Sequence, residues 1–134
     1  MGMTFLDVTV KKQPDSRGER RIKFLIDTGA IYTVAPAAAL RKLGIKPHRK
    51  ESFTLADGSS IERGMGMAYF EYKGVGGGAP VVFGEAKDSN LLGMTTLESM
   101  GLMVDPLSRE LRRLPTMLGV AYAAQPKLTR RRRD

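Results

Sequence analysis

Cysteine is absent from this chain of 134 residues, and histidine occurs once, at His48. Without thiols the chain has no disulfide, no thiol nucleophile and no thiolate to hold a metal ion. A single histidine also excludes metal sites that need two or more histidines from one chain, and it leaves one candidate for the base of a catalytic triad. We therefore expect neither a metal ion nor an organic cofactor.

Long hydrophobic runs are absent as well. The longest uncharged stretch, Leu114 to Pro126, is shorter than the roughly 18 apolar residues that a membrane span needs. The N-terminus lacks the basic and then apolar pattern of a secretory signal. These features predict a soluble, cytoplasmic protein with no membrane partner.

The net charge of +8 is distributed unevenly, because a basic run occupies residues 127–134. No aromatic residues alternate with these charges. Such a run is typical of a solvated, disordered tail, and the alternative is a contact with nucleic acid or another anionic surface. Since the charge is not spread along a folded face, nucleic acid is an unlikely partner.

The length fits one domain with a modest core. We assign residues 1–114 to this domain and residues 115–134 to a C-terminal extension. Within the extension, residues 118–124 are compatible with either an extra strand or a loose arm.

The hydrophobic pattern predicts a mostly β fold with two short helices. Apolar and polar residues alternate along Arg20–Ile26 as in a half-buried strand, and turn residues separate such segments. The predicted elements are strands at Phe5–Val10, Arg20–Ile26, Ile31–Val34, Phe53–Leu55, Ser60–Glu62, Met65–Lys73, Pro80–Phe83, Leu102–Val104 and Arg109–Leu114, helices at Ala37–Leu43 and, capped by Thr95, at Thr96–Met100, and a turn at Gly74–Gly78.

One hairpin is predicted by its turn residues. Asp57-Gly58 lies between two strand-like segments, and this dipeptide is among the strongest short hairpin signals. We expect the hairpin to project from the domain with its tip at these two residues.

The central stretch of the chain is Phe24-Leu25-Ile26, which runs directly into Asp27. Burying an ionised carboxylate beside apolar side chains costs roughly several kcal/mol unless the carboxylate is hydrogen-bonded or paired. A protein that keeps such a group usually has a chemical use for it, so we predict that Asp27 is catalytic. The alternative is an ordinary turn residue that bonds its own backbone.

With these elements in place, the sequence resembles the retropepsin-like aspartic peptidases, and the small prokaryotic members most. The resemblance covers about residues 5–114. It rests on the apolar strand before Asp27-Thr28-Gly29-Ala30, on the hairpin around Asp57-Gly58, and on Leu91-Leu92-Gly93 before a helix. It implies a retropepsin-like half-barrel with a flap hairpin. Ile31-Tyr32 departs from the acidic pair of viral members, so their substrate preference does not carry over.

The resemblance also implies roles for the matching residues. Thr28 would bond across a dimer interface, and Gly29 and Ala30 would complete the active-site loop. Ala56, Asp57 and Gly58 would form the tip of a flap that closes over bound peptide. Leu92 and Gly93 would pack beneath the catalytic loop. A plain turn hydroxyl at Thr28 and an ordinary helix-preceding glycine at Gly93 remain alternatives.

Peptide hydrolysis by this mechanism needs two carboxylates that share one proton. The chain has one Asp-Thr-Gly, and Asp57, Asp88 and Asp105 lack its setting. A second copy of the chain must therefore supply the second carboxylate, across a twofold axis. The sequence predicts a homodimeric aspartic endopeptidase that acts on peptides or proteins. The alternative is a dimeric peptide-binding module of the same fold that is weakly active or inactive.

Overall fold

The computed structural model describes residues 4–114, which form nine strands and two short helices. The predicted extension at residues 115–134 lies outside this range. The elements, in chain order, are β1 Phe5–Lys11, β2 Glu19–Ile26, β3 Thr33–Pro36, α1 Ala37–Lys42, β4 Arg49–Thr54, β5 Ser60–Tyr72, β6 Val75–Gly84, β7 Leu91–Leu92, α2 Met94–Ser99, β8 Leu102–Val104 and β9 Leu111–Arg113.

Seven strands form one sheet in the order β1-β2-β7-β3-β6-β5-β4. A further antiparallel pairing joins β1, the first strand of this order, to β5, the sixth, and closes these six strands into a barrel. Strand β4 stays outside the closed ring and pairs with β5 alone. The predicted mostly β fold with two short helices is therefore confirmed.

The core fills the inside of the barrel and extends under α2. Phe24 and Phe70 are fully buried and meet edge to face, with ring centroids 6.4 Å apart. The alternation along β2 places Ile22 and Phe24 inside and leaves Lys23 exposed. Because a buried aromatic truncated to alanine costs about 3–5 kcal/mol, Phe24 is a main contributor to the stability of the strand that leads to Asp27.

The strand order brings distant parts of the chain to the end of β2. Strand β7 runs parallel to β2, with Leu25 opposite Leu91 and Ile26 opposite Leu92. Parallel neighbours end on the same side of a sheet, so the residues after Ile26 and after Leu92 emerge together. Asp27 and Gly93 are therefore neighbours in space although 66 positions separate them in the sequence.

The predicted turn over Gly74–Gly78 is wrong beyond its first residues. The chain turns at Lys73 and Gly74, which have positive φ angles, and β6 begins at Val75. The later glycines lie inside β6, where a Cβ on Gly77 would collide with the Ser99 backbone. Gly77 thus allows α2 to pack against the strand, and Gly76 leaves room for the Tyr69 ring, which are reasons that the local sequence does not reveal.

Several other boundaries differ from the prediction: β4 begins at Arg49 instead of Phe53, and β5 is one continuous strand. Two of the differences lie next to the Asp27 loop. Strand β3 begins at Thr33, so Ile31 and Tyr32 belong to the loop before it. Helix α2 begins at Met94 with Gly93 at its N-cap, and Thr95 makes no side-chain capping bond. At this place the Ile31 carbonyl accepts a hydrogen bond from the Thr95 amide, which ties the loop to the first turn of the helix.

Candidate active site

Asp27 is the first residue after β2, and its backbone is fixed on two sides. Its amide donates to the Leu92 carbonyl at 3.1 Å, which continues the contact between β2 and β7. Its carbonyl accepts the Ala30 amide at 3.0 Å, which closes a tight loop. The position of Asp27 is therefore set by a long-range strand contact and by the loop itself.

The Asp27 carboxylate forms the hydrogen bond of an Asx turn. Oδ1 accepts the Gly29 amide at 3.0 Å, and a Cβ on Gly29 would lie 3.3 Å from the same oxygen. Asp27 is only half-buried in the single chain, and Thr28 and Gly29 are exposed. The expected burial of this carboxylate is therefore not met within one chain. The loop faces outward, and Thr28 lies at its exposed surface.

Gly93 lies directly against the backbone of the loop. A Cβ at this position would be 2.6 Å from the Tyr32 carbonyl carbon and oxygen, and 2.8 Å from the Ile31 oxygen. Contacts this short force the backbone to move, so only glycine fits here without a shift. The structure thus brings Leu92 and Gly93 against the loop that follows Asp27.

A buried pair of threonine hydroxyls holds this contact together. Thr33 and Thr96 are fully buried, and their Oγ1 atoms are 2.5 Å apart. Thr33 Oγ1 also accepts the Gly93 amide at 3.0 Å. Buried hydroxyls are costly unless they are bonded, so this pair fixes one arrangement of β3, Gly93 and α2. The sequence analysis did not identify these threonines, because nothing local distinguishes them from other β-branched strand residues.

The first turn of α2 completes the support. Met94 and Thr95 donate their amides to the carbonyls of Ala30 and Ile31, at 2.9 and 3.0 Å. These amides have no partner within the helix, so the loop supplies the acceptors that the helix start lacks. The loop from Asp27 to Ile31 is thus attached to β7, to Gly93 and to α2.

A cleft of about 700 Å³ lies beside this loop. The loop contributes to it through residues 29–32, whereas Asp27 is not among the residues that line it. The wall is mainly apolar, with charged side chains at one side. The lining residues are Gly29, Ala30, Ile31, Tyr32, Val34, Phe53, Thr54, Leu55, Ile61, Arg63, Val82, Lys87, Asp88, Ser89 and Leu91.

The predicted hairpin is present between β4 and β5, but its tip does not line the cleft. Ala56, Asp57 and Gly58 are exposed, while Leu55, just before them, does line it. Gly58 has a φ of +88°, as a glycine at a hairpin turn often does. Hydrogen bonds from the Ser59 side chain and backbone lower the pKa of Asp57. In the single chain, the three predicted flap residues lie beyond the wall of the cleft.

One ion pair lies in the wall of the cleft. Arg63 donates to Asp88 through Nε at 2.7 Å and Nη2 at 3.1 Å. This bond to the guanidinium lowers the pKa of Asp88, and the same bond raises that of Arg63.

Within residues 4–114, no group of three or more histidine, aspartate or glutamate side chains is placed to hold a metal ion. Neither α1 nor α2 has the length and apolar character to cross a bilayer.

A mostly β barrel with an Asp-Thr-Gly loop beside an open cleft has the features of an aspartic protease. The family model described as "Aspartyl protease" matches residues 8–96, which is more than half of the chain. The chain therefore belongs to this aspartyl protease family, and the resemblance inferred from the sequence is confirmed. The matched range includes Asp27, the hairpin and Gly93.

Two solved structures are similar to the chain. The protease of Simian Foamy Virus (mac) is 18% identical with a TM-score of 0.47, and the match covers 69% of this chain and 92% of that one. A retropepsin-like aspartic protease from Rickettsia conorii is 24% identical with a TM-score of 0.40, over 78% of this chain and 94% of that one. A comparison with curated protein sequences found no match.

Proposed function

We propose that the chain is a homodimeric aspartic endopeptidase in which Asp27 and the partner's Asp27 activate one water molecule. The observation that carries this proposal is the position of Asp27. It lies at the end of β2, in a loop that β7 and α2 hold in place, beside a cleft in a chain of the aspartyl protease family. No other aspartate among the described residues has this combination.

The need for a dimer follows from the chemistry. One carboxylate must act as a base toward water while another acts as an acid toward the peptide carbonyl, and this chain offers one. The exposure of Thr28 and Gly29 leaves the loop free to meet a second copy. Ile31 is 65% exposed next to the loop, and an apolar side chain in this position favours burial against a partner.

In the proposed reaction, the water lies between the two carboxylates, which together hold one proton. The ionised carboxylate takes a proton from the water as its oxygen attacks the peptide carbonyl carbon. The protonated carboxylate gives its proton to the carbonyl oxygen, and a tetrahedral gem-diol forms. The ionised carboxylate then takes a proton from one gem-diol hydroxyl as the carbon–nitrogen bond breaks, and the protonated carboxylate gives its proton to the leaving nitrogen. The products are a carboxylic acid and an amine.

The lining of the cleft favours a peptide as the substrate. Its walls carry apolar side chains from the loop, from β4 and from β7, among them Ile31, Phe53 and Leu91. An extended peptide beside the Asp27 loop would place one side chain against this surface. The hairpin would then close over the peptide by moving Ala56, Asp57 and Gly58 toward it, which excludes water from the reacting bond.

The test compares wild type with Asp27→Asn on a diverse peptide library between pH 3 and 8. The amide keeps the shape of the side chain and removes the acid, so we expect activity to fall by about 10³-fold or more. Asp15→Asn, the same change in the exposed turn before β2, is the matched control and should retain activity. A statine-type transition-state mimic should inhibit the wild type.

Two results would contradict the proposal. Equal activity in wild type and Asp27→Asn would assign the hydrolysis to another group or to a contaminant. A folded, dimeric wild type that binds peptides and cleaves none would favour a peptide-binding module of the same fold.

A further inference from the structure

Three segments of the chain meet around the cleft. These are the loop after Asp27, the hairpin strands β4 and β5, and the connection from Glu85 to Asn90 between β6 and β7. The first two are held by strand pairing and by α2. The third is largely exposed and has no regular structure. Its end is fixed by the Leu25 amide, which donates to the Asn90 carbonyl at 2.9 Å, and the part before Asn90 depends on side-chain contacts with β5.

The strongest of these contacts is the pair between Arg63 on β5 and Asp88 in the connection. Arg63 Nε and Nη2 donate to Oδ2 and Oδ1 of Asp88 at 2.7 and 3.1 Å, which is the two-point geometry that arginine forms with a carboxylate. Arg63 Nη1 also donates to the Glu62 carbonyl at 2.8 Å and lies 3.7 Å from Glu85 Oε1. The guanidinium is therefore fixed in orientation on both sides.

Asp88 also fixes the rest of the connection through two hydrogen bonds to Glu85. Its Oδ2 accepts the Glu85 amide at 2.8 Å, and its own amide donates to the Glu85 carbonyl at 2.8 Å. One carboxylate thus folds the connection into a turn and attaches that turn to β5. The neighbouring Lys87 and Ser89 line the cleft.

Burial separates this pair from an ordinary surface ion pair. The Arg63 and Asp88 side chains are 14% and 22% exposed, and both line the cleft. The long 3.7 Å pair of Arg63 with Glu85 joins the same two segments. The remaining ion pairs of the described residues lie elsewhere: Lys11–Glu71 links β1 to β5, Arg49–Glu51 lies within β4, and Arg112–Asp105 lies within the β8–β9 hairpin. Among residues 4–114, the ion pairs that join two segments around the cleft are therefore those of Arg63.

We propose that Arg63 and Asp88 are positioning residues that set the width of the cleft and thereby select which substrate side chains it accepts. This inference rests on the proposed function, because it assumes that peptide side chains enter this cleft. Neither residue takes part in the chemistry. They act through the connection, whose residues form one side of the cleft, and they hold it at a fixed distance from Ile61 and Phe53 on the hairpin.

Substitutions at the pair should loosen this wall without removing it. Asp88→Asn keeps the size of the side chain but loses its charge and one of its acceptor oxygens, so the turn at Glu85 and the bond to Arg63 compete for the oxygen that remains. Arg63→Lys keeps the charge but cannot form two parallel bonds. Both variants should accept large and small side chains with less discrimination than wild type.

The test measures binding by calorimetry, with full-length protein and three statine-containing peptides that differ in one residue beside the statine: Ala, Leu or Phe. We expect the ratio of affinities between the best and worst peptide to fall by about tenfold in Asp88→Asn and Arg63→Lys. Glu71→Gln is the matched control, because it removes the Lys11–Glu71 pair, which also joins distant strands but lies away from the cleft. Its affinity ratio should equal that of wild type.

A second readout separates selection from general loosening. For a cleaved peptide, the pair should change KM and the preference among peptides while kcat stays within about threefold, because Asp27 is untouched. Unchanged preference in both pair variants, with wild-type cleavage intact, overturns the inference and leaves the proposed function standing. A wild type that binds the peptides and cleaves none overturns the proposed function. In that case the affinity ratios of wild type and the two pair variants still test the role of Arg63 and Asp88. A wild type that neither binds nor cleaves overturns both.

Discussion

Two turns of this protein contain the same local hydrogen bond and differ in everything around it. Asp27 accepts the amide of Gly29 at 3.0 Å, and Asp57 accepts the amide of Ser59 at 2.9 Å. Each aspartate thus bonds the residue two positions later, as Asx turns do. By this local measure the candidate catalytic loop and the tip of the hairpin are alike.

Their surroundings separate them. The turn at Asp57 is closed by bonds within its own hairpin, and a Cβ on Gly58 would meet nothing within 4 Å. The loop at Asp27 is bonded to Leu92 and to the start of α2, and Gly93 packs against it. An Asx turn therefore becomes a candidate site through the distant segments that fix it, and the hydrogen bond within the turn is not enough.

The largest effect is expected from a substitution that disturbs the contact between Gly93 and the Asp27 loop. Gly93→Ala would place a Cβ 2.6 Å from the Tyr32 carbonyl carbon, so the loop or β7 must shift. We expect the free energy of unfolding to fall by about 3 kcal/mol, at the upper end for overpacking, and peptidase activity to be lost. Urea denaturation and the peptide assay measure the two effects.

Gly78→Ala is the control for this experiment. It makes the same change within β6, where the nearest atom to the new Cβ is the Ala68 carbonyl oxygen at an ordinary 3.8 Å. An alanine there should leave the free energy of unfolding unchanged or raise it by about 0.5 kcal/mol, since glycine weakens a strand interior. Equal stability of the two variants would show that close packing at Gly93 does not hold the loop.

The buried threonine pair allows a finer test of the same support. Thr33→Val leaves the Gly93 amide and the Thr96 hydroxyl without their partner, so we expect a loss of about 1–3 kcal/mol in the free energy of unfolding. Thr96→Val leaves the bond between Thr33 and Gly93 in place and should cost less. The double variant should cost less than the sum of the two, because the residues share one bond. Additive costs would mean that the hydroxyls act independently.

How much of this was predictable from the sequence depends on the range of the interactions. The strand before Asp27 and the hairpin at Asp57-Gly58 were predictable, because the alternation of apolar and polar residues and the preference of Asp-Gly for turns both depend on neighbouring residues. The order of Asp27, the hairpin and Leu92-Gly93 along the chain also sufficed to indicate the family. Each of these signals is local or is a simple order of local signals.

The features that hold the site were not predictable in the same way. Thr33 and Thr96 are 63 positions apart, and Arg63 and Asp88 are 25 apart, so no local pattern pairs them. The run of glycines inside β6 was predicted as a turn, because the close contacts at Gly76 and Gly77 are made by Tyr69 and by Ser99 of α2, which lie elsewhere in the chain. The half-buried state of Asp27 likewise depends on parts of the chain outside β2, such as Leu92 and the residues that follow it.

A change in the hairpin turn should have a much smaller effect than the changes at Gly93 and Thr33. The Ser59 hydroxyl bonds Asp57 Oδ1 at 2.6 Å and is the main cause of the lowered pKa of Asp57. A bond to the charged form favours that form, so Ser59→Ala should raise the pKa of Asp57 toward its ordinary value. Because the turn is exposed and keeps its backbone bonds, the free energy of unfolding should change by less than about 0.5 kcal/mol.

An NMR titration of the Asp57 side-chain carboxyl carbon measures this shift, and Ser52→Ala in β4, which is exposed and outside the turn, is the control. An unchanged Asp57 titration in Ser59→Ala would assign the lowered pKa to the backbone amides alone. A large loss of stability would show that the hairpin turn is coupled to the rest of the fold as the Asp27 loop is. The expected result, a local change in charge with the fold intact, is what a turn without distant support should give.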